Sequence, residues 1–499
     1  MNPLKKLAGQ TVIYGVSTII GRLLNYLLVP LYTAVFKEGE YGIVTDFYAY
    51  VAFFNVLYLF GLETTYFRFA NKEKNDEQNV FNTVQTLVLL NAFVITGLLV
   101  IFAPAIAEAF GYSGQEHYIY ILACVMMIDA IVAIPFAKLR LEGKAKRFAL
   151  TRLSNIVIVI LLNLFFIVLL PQLADNNYDG VLLSFYDPEI GVGYVFISNL
   201  IANALYLLMM GDLLLRLKPS FSKEQVGKFL VYATPIMFLG LAGVTNEMLS
   251  RAILKYRLPE GFYEGLTNLG ALGVFGACYK LSVFMVLAIQ AFKYAAEPFF
   301  FKGASQKDSP ILFSRVMNGY IIFASILMMG VIVNLGWIGE LFLRSDVYLR
   351  ALPVVPWLLL GGLFLGVYYN LSVWFKLTDK TIFGAYISGV GAVLTIVLNW
   401  LFIPYFGFMA SAVITAMVYF VMCSISFLAG QRYYSVPYRV LKGILYIISV
   451  FGISLFLYYN PLADGVFRYG INNFIILLTI AVILKIEKID IVSFVRKKG

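Results

Sequence analysis

Apolar runs of roughly 20 residues recur from one end of the chain to the other, with short polar connectors between them. That is the length a helix needs to cross about 30 Å of hydrocarbon. Backbone in lipid must satisfy its own hydrogen bonds, so only helices and closed barrels span a membrane. Barrel strands would alternate polar and apolar residues in segments of about 10, and these runs do not. Composition agrees, with 61% of the 499 residues apolar and 13% charged, against about 45–50% and 25% in soluble domains. The chain therefore reads as an all-α polytopic membrane protein.

Fourteen spans are expected, at about 8–32, 41–63, 80–107, 117–138, 150–171, 192–215, 226–250, 271–299, 311–336, 351–374, 382–404, 408–430, 440–459 and 466–485. The first follows Lys5 and Lys6. It is too long for a signal-peptide core and no small-residue cleavage site ends it, so it is expected to remain as a span. Cytoplasmic loops collect Lys and Arg. With the N-terminus inside, 28 of the 38 basic residues fall on the cytoplasmic side and seven (Lys37, Arg251, Lys255, Arg257, Arg344, Arg350 and Arg468) on the outer side. An even number of spans, cytoplasmic termini and a place in the inner or plasma membrane follow as expectations. The same bias accounts for most of the net charge of +10, which therefore gives no reason to expect nucleic acid as a partner.

Cys124, Cys278 and Cys423 all fall within expected spans and read as apolar packing residues, not disulfides or metal ligands. His117 is the single histidine, which leaves out histidine-based metal sites and triads. No catalytic residue, metal site or cofactor is expected, apart from a coupling ion, Na+ or H+.

The chain also repeats itself. At an offset of 236, residues 140–167 lie without gaps on 376–403, with nine of 28 positions identical, among them Lys144/Lys380, Asn163/Asn399 and Phe166/Phe402. At an offset of 234, residues 41–70 lie on 275–304, matching Gly42/Gly276, Glu63/Glu297, Phe67/Phe301 and Ala70/Ala304, with Asp46 opposite Lys280. A weaker match pairs Gly9 with Gly227 and Tyr14 with Tyr232. The expected organisation is a six-helix bundle over 1–218, a second over 219–432, and two appended helices with a basic cytoplasmic tail over 433–499. Six is even, so the copies share one orientation about an axis along the membrane normal, an arrangement that in transporters places the substrate route between halves. The outer loop at 172–191 carries four acids and no base. It reads as a solvated hairpin, with sugar stacking on Tyr178, Phe185 and Tyr186 as the alternative.

The segment "LRLEGKAKRFAL" leading into "LLNLFFIVLLP", and "VLNWLFIPYFGFMASAVITAMVYF" near the end of the second copy, resemble the bacterial lipid-linked oligosaccharide flippases. These are polysaccharide transporters for O-antigen, capsule and related glycans, in the superfamily of multidrug extruders and lipid II flippases. Asn399, Pro404 and Gly407 fit that family's "N…P…G" pattern, while Phe408 stands where glycine is common. The resemblance covers essentially the whole chain. It implies fourteen helices in two bundles and alternating access. The substrate it implies is a polyprenyl-pyrophosphate-linked oligosaccharide moved to the outer leaflet for lipopolysaccharide or other surface polysaccharide biosynthesis. Glycan polymerases or glycosyltransferases of the same pathway are the implied protein partners, beside membrane lipids.

Charges within the apolar runs are the candidate site. Arg22 sits about 15–20 Å from either end of its span, beyond the reach of a snorkelling side chain. Such a charge is unfavourable by about 2.5–3.5 kcal/mol and marks function by default. Thr11, Tyr14, Thr18, Arg22 and Asn25 share one helical face, and Lys280, Gln290, Tyr294 and Glu297 share another, with Lys293 beside it. Arg22, Asn25, Lys280, Lys293 and Gln290 are the candidate substrate contacts, able to meet a pyrophosphate by bidentate and point-charge contacts. Asp46, Asp129, Glu247 and Glu297 are candidates for ion coupling or charge balance. Pairing of Arg22 with Asp46 or Asp129, and of Glu247 with Arg251, are the structural alternatives. Pro30, Pro235 and Pro298 are candidate kinks. A cation exporter of the same superfamily would favour an acidic route, and a membrane glycosyltransferase or polymerase would need an outer catalytic domain that the short loops do not provide.

Overall fold

A computed structural model describes residues 15, 19–21, 23, 24, 26–72, 76–176, 180–303, 309–378, 380–462 and 465–488, with backbone alone at 294–303. Arg22 and Asn25 lie outside the described residues, as does about half of the first expected span. The chain forms two compact units, Met1–Gly273 and Val274–Gly499. The first holds α1 (Leu28–Val35), α2 (Glu38–Leu59), α3 (Leu62–Lys72), α4 (Glu77–Ile101), α5 (Glu116–Leu141), α6 (Ala145–Leu164), α7 (Gly193–Met209) and α8 (Lys223–Arg257). α9 (Asn268–Lys280) crosses the boundary. The second unit holds α10 (Val283–Gly303), α11 (Ser309–Val333), α12 (Val355–Leu371), α13 (Ile382–Tyr433), α14 (Val440–Tyr459) and α15 (Gly465–Glu487). Among the described residues no strand occurs. Among the described residues, ten helical spans are long and apolar enough to cross a membrane, eleven with the bent pair α9 and α10. The protein is a multi-pass, all-helical membrane protein. α8, which the repeat assigns to the second copy, belongs to the first compact unit.

Span boundaries follow local chemistry. α2 and α3 make one 35-residue span, interrupted where Phe60 and Gly61 take positive φ. A Cβ on Gly61 would stand 2.7 Å from the Ala233 carbonyl, so glycine both permits the turn and admits α8. α6 widens into a π turn at Phe165–Leu169 and runs on to Asp175; Pro171 has no N–H to donate, and a wider turn absorbs the missing bond. The two spans expected at 382–404 and 408–430 are two helices that meet without a loop at Gly407, whose φ 57° and ψ −141° break the helix, a conformation closed to side chains with a Cβ.

One expectation is corrected. The span expected over 271–299 is broken by 43° between α9 and α10, at Leu281 and Ser282 and not at Pro298. The Ser282 hydroxyl donates to the Tyr279 carbonyl at 2.8 Å, a local bond that competes with the helical ladder.

Lipid tails are as apolar as leucine, so helices in a membrane gain by close fit and polar contacts more than by hydrophobic burial. In the first unit Phe47 meets Tyr112, Tyr118 and Phe196 with ring centroids 4.7, 5.6 and 5.8 Å away, and Phe136, Phe148, Tyr206 and Met210 close a cluster at the ends of α5, α6 and α7. In the second unit the Tyr320 hydroxyl fills the notch at Gly366, where an added Cβ would stand 1.7 Å from it.

The repeat is visible in hydrogen bonds within each unit. Asn163 and Asn399 are both fully buried, and each donates its amide to the carbonyl four residues back, Val159 and Thr395, at 2.7 Å. Each side-chain oxygen then accepts a hydroxyl at 2.9 Å, from Tyr32 for Asn163 and from Ser411 for Asn399. Lys144 and Lys380 donate their backbone N–H to Leu139 and Phe375 at 2.8 Å, the same five-residue step in both copies.

Candidate functional site: buried charges of the two units

Asp46 lies on α2, about 12 Å along the helix from its start at Glu38, and is fully buried. Its Oδ2 accepts from Lys255 Nζ at 2.6 Å and from the Tyr112 hydroxyl at 2.7 Å. Lys255 also donates to the Phe110 carbonyl at 2.6 Å and stands over the Tyr112 ring at 4.0 Å. Asp46 Oδ1 is buried without a hydrogen-bond partner. Tyr50, one turn along α2, shares a hydroxyl bond of 3.1 Å with Tyr256 and stacks on Phe110 at 4.2 Å. A carboxylate sealed from water needs a charge partner, and Lys255 supplies it. Sequence reasoning placed Lys255 in an outer loop; α8 runs 35 residues to Arg257, so the lysine is still helical and reaches inward.

Asp129 lies in the middle of α5 and meets a different environment. Asn203 on α7 donates to its Oδ1 at 2.9 Å, and Asn155 on α6 donates to Asn203 Oδ1 at 3.0 Å. An amide relay across three helices thus ends on the carboxylate. Beside it, Asn199 donates to the Tyr48 hydroxyl at 2.8 Å. Arg152 is within electrostatic reach of Asp129, but its guanidinium is stacked over Phe136 and Phe148 at 5.1 and 5.4 Å. Lys255, Arg152, Asn155 and Asn203 are the residues that sequence reasoning missed. The four-residue spacing of Asn199 and Asn203 on one helix was the signal available for those two amides.

At the basic end of the first unit most cations are engaged. Arg140 pairs with Glu63, Lys144 with Glu142 at 2.6 Å, and Lys138 with Gln78 at 2.6 Å. Arg147 grips Asp212 in a bidentate pair, one arm at 2.9 Å. That guanidinium holds the Asp212 carboxyl below the usual carboxylate range. Glu247 on α8 is exposed, whereas Arg251 is buried.

In the second unit Lys280 ends α9, while Gln290 and Lys293 stand on α10 beyond the bend. The single face expected for them on one straight helix is therefore divided. Lys280, Gln290 and Lys293 are half-buried, and Lys293 Nζ lies over the Tyr369 ring at 4.2 Å. The side chains of Tyr294 and Glu297 lie outside the described residues. Glu487 at the end of α15 is held by Lys442, Tyr446 and Asn318 at 2.8, 2.7 and 3.1 Å. In the outer loop, Tyr178 lies outside the described residues, Tyr186 stacks on Tyr194, and Phe185 is exposed. Among the described residues no group of three or more His, Cys, Asp or Glu side chains could hold a metal ion.

Residues 35–172, which carry Asp46, Asp129, Asn155 and Asn163, match the model of a family described as polysaccharide biosynthesis protein. An uncharacterized membrane protein of Methanocaldococcus jannaschii is 23% identical over 435 residues, covering 80% of this chain and 78% of its own. The fold is similar to that of the lipid II flippase MurJ in an inward closed conformation, with a TM-score of 0.72 at 14% identity over 95% of this chain and 99% of that one. It is also similar to an inward-facing multidrug resistance MATE family transporter of the MOP superfamily, with a TM-score of 0.64 at 14% identity over 82% and 94%. The resemblance read from the sequence is thereby supported twice, by a family model and by a shared fold.

Proposed function

We propose, for a chain of the polysaccharide-flippase type with the fold of the MOP superfamily's transporters, that it is a flippase and not an enzyme. It moves the headgroup of a polyprenyl-pyrophosphate-linked oligosaccharide from the cytoplasmic to the outer leaflet of the cell membrane by alternating access. The observation that carries this reading is the joint match: a polysaccharide-biosynthesis model over 35–172 inside a fold similar to that of a lipid flippase along 95% of the chain.

The chemistry of the in-span cations supports it. The headgroup carries about two negative charges, which hydrocarbon rejects. Lys280 and Lys293, with Arg22 and Asn25 from the first span and Gln290 as a neutral donor, would meet the pyrophosphate and sugar. Lys293 over the Tyr369 face is a cation held ready by a π surface, and an arriving phosphate can take its place as partner. Asp129 is the carboxylate we assign to the coupling ion, because amides and not a lysine hold it. Asp46, engaged by Lys255, is assigned to charge balance.

The test is reconstitution of the full chain in vesicles, offered in turn a polyprenyl-pyrophosphate oligosaccharide, lipid II and an organic cation. Transport of the first alone, weakened at least about tenfold by Lys280→Ala or Arg22→Ala, is the expected result. Transport of lipid II or of the cation in its place assigns the chain to one of the other MOP activities, and equal transport by wild type and both variants removes the cation mechanism.

A further inference from the structure

Three outer connections of the first unit converge on one ion pair. Asp46 comes from α2 just past the first outer loop, Tyr112 and Phe110 from the connection between α4 and α5, and Lys255 from the last turn of α8. The repeat assigns α2 to the first copy and α8 to the second. The contact therefore ties a helix of one copy to a helix of the other, at the end that the loop charges place outside.

We infer that Lys255 and Asp46 form an outer latch, a positioning pair that holds α8 against α2 in this state and must part for the outer side to open. This rests on the alternating-access reading of the previous subsection. The geometry separates a latch from a permanent staple. Lys255 is anchored three ways, by the Asp46 carboxylate, the Phe110 carbonyl and the Tyr112 ring, and all three anchors lie off its own helix. Both of the ordinary-length side-chain bonds of Asp46 fall on Oδ2, while Oδ1 is buried with no bond of that length and the Tyr50 hydroxyl is also coupled to the carboxylate. The hydroxyl bond from Tyr112 stays with Asp46 when the lysine leaves, so the acid is not abandoned. Above and below the pair, Tyr50 and Tyr256 share a single bond of 3.1 Å between half-exposed rings, and Gly240 on α8 is seated against the Val56 side chain of α2. α8 can therefore swing away from α2 about the glycine-lined contact at Gly61 and Gly240 once the charge contact breaks. Small residues at such a contact let membrane helices approach closely.

A two-state equilibrium shifts by the free energy that one state has and the other lacks. Removing the latch should then populate the open state without any substrate. Ala252 is buried one helical turn before Lys255 and serves as a reporter: Ala252→Cys in a chain whose three native cysteines are replaced, reconstituted in vesicles and exposed to a membrane-impermeant maleimide from outside. Labelling should be slow with Asp46 and Lys255 intact. It should rise about tenfold or more in Lys255→Met and in the charge-neutral double variant Asp46→Asn with Lys255→Met, which carries no unpaired charge and folds where the single change fails. The swap of Asp46→Lys with Lys255→Asp should return labelling toward the slow rate. Unchanged labelling in the double variant, with or without a loss of thermal stability, or fast labelling in the swap, overturns the latch. The readout contains no glycan, so a chain that flips none of the offered lipids still reports on the latch, and the two readings fail separately.

Discussion

Two buried acids of the first unit, Asp46 and Asp129, occupy opposite chemical settings. Asp46 is sealed and holds a lysine at 2.6 Å; Asp129 is met by an amide at 2.9 Å, itself held by a second amide. A carboxylate beside a fixed ammonium has its charge set by its partner. A carboxylate facing amides can gain or lose a proton, or take a cation, without stranding an opposite charge in lipid. The comparison teaches that an acid in a span is not one kind of feature, since the donor opposite it decides between holding helices together and carrying an ion.

The comparison can be broken first at Asp46. Lys255→Met leaves a buried, unbalanced carboxylate and should cost about 3–5 kcal/mol, read as a lower unfolding temperature in detergent; adding Asp46→Asn should recover most of it. A loss under about 1 kcal/mol would mean the pair is wet and the contrast unfounded. Next is the amide relay. Asn203→Leu strands both Asp129 and Asn155 and should cost about 1–3 kcal/mol, checked by the same unfolding measurement, with Asn163→Leu and Asn399→Leu matching each other because their bonds match. Smaller still in stability is Asp129→Asn, expected within about 1 kcal/mol of wild type because an amide replaces a carboxyl of the same shape. Its effect should appear in transport, which loses its response to an imposed proton or sodium gradient. A response kept intact counts against Asp129 as the coupling group.

The smallest effect is outside the membrane. Arg147 lowers the folded-state pKa of Asp212, so the stabilisation from this pair is complete above the carboxyl's ordinary value near 4 and is lost as pH falls through the lowered one. Both side chains are partly exposed, and the effect is correspondingly slight. Asp212→Asn should lower the unfolding temperature slightly at pH 7 and flatten the acid limb below about pH 4, where it and wild type converge. A difference that stays the same at pH 7 and below pH 4 would assign Asp212 to something other than this pair.

The membrane class and most span positions were legible because lipid leaves the backbone so few options. The pairing of Asn163 with Asn399 was legible too: both donate to the carbonyl four residues back, although the hydroxyls they accept, from Tyr32 and Ser411, are not equivalent. Helix ends and bends were not. The break at Leu281 and Ser282 has no proline or glycine to announce it, and the expected kink at Pro298 drew attention elsewhere. Lys255 was hidden by the hydropathy rule itself: a window closes at the first charges, whereas α8 continues to Arg257 and turns a loop lysine into a buried one. The pairing of Asp46 was therefore unreadable from either residue alone. Asp129 was legible as a mid-span acid, but which neighbours it meets depends on how three helices are rotated, and periodicity fixes each face without fixing the partner.

Sidedness of the headgroup tests the central claim most directly. Vesicles containing the full chain and a polyprenyl-pyrophosphate oligosaccharide with a fluorescent sugar are treated with an impermeant quencher. About half of the label is protected without protein, and the account predicts that nearly all of it becomes quenched when the chain is present, on a timescale that lengthens in Lys280→Ala. Protection that stays at about half, in vesicles where the chain is folded and inserted, would contradict it.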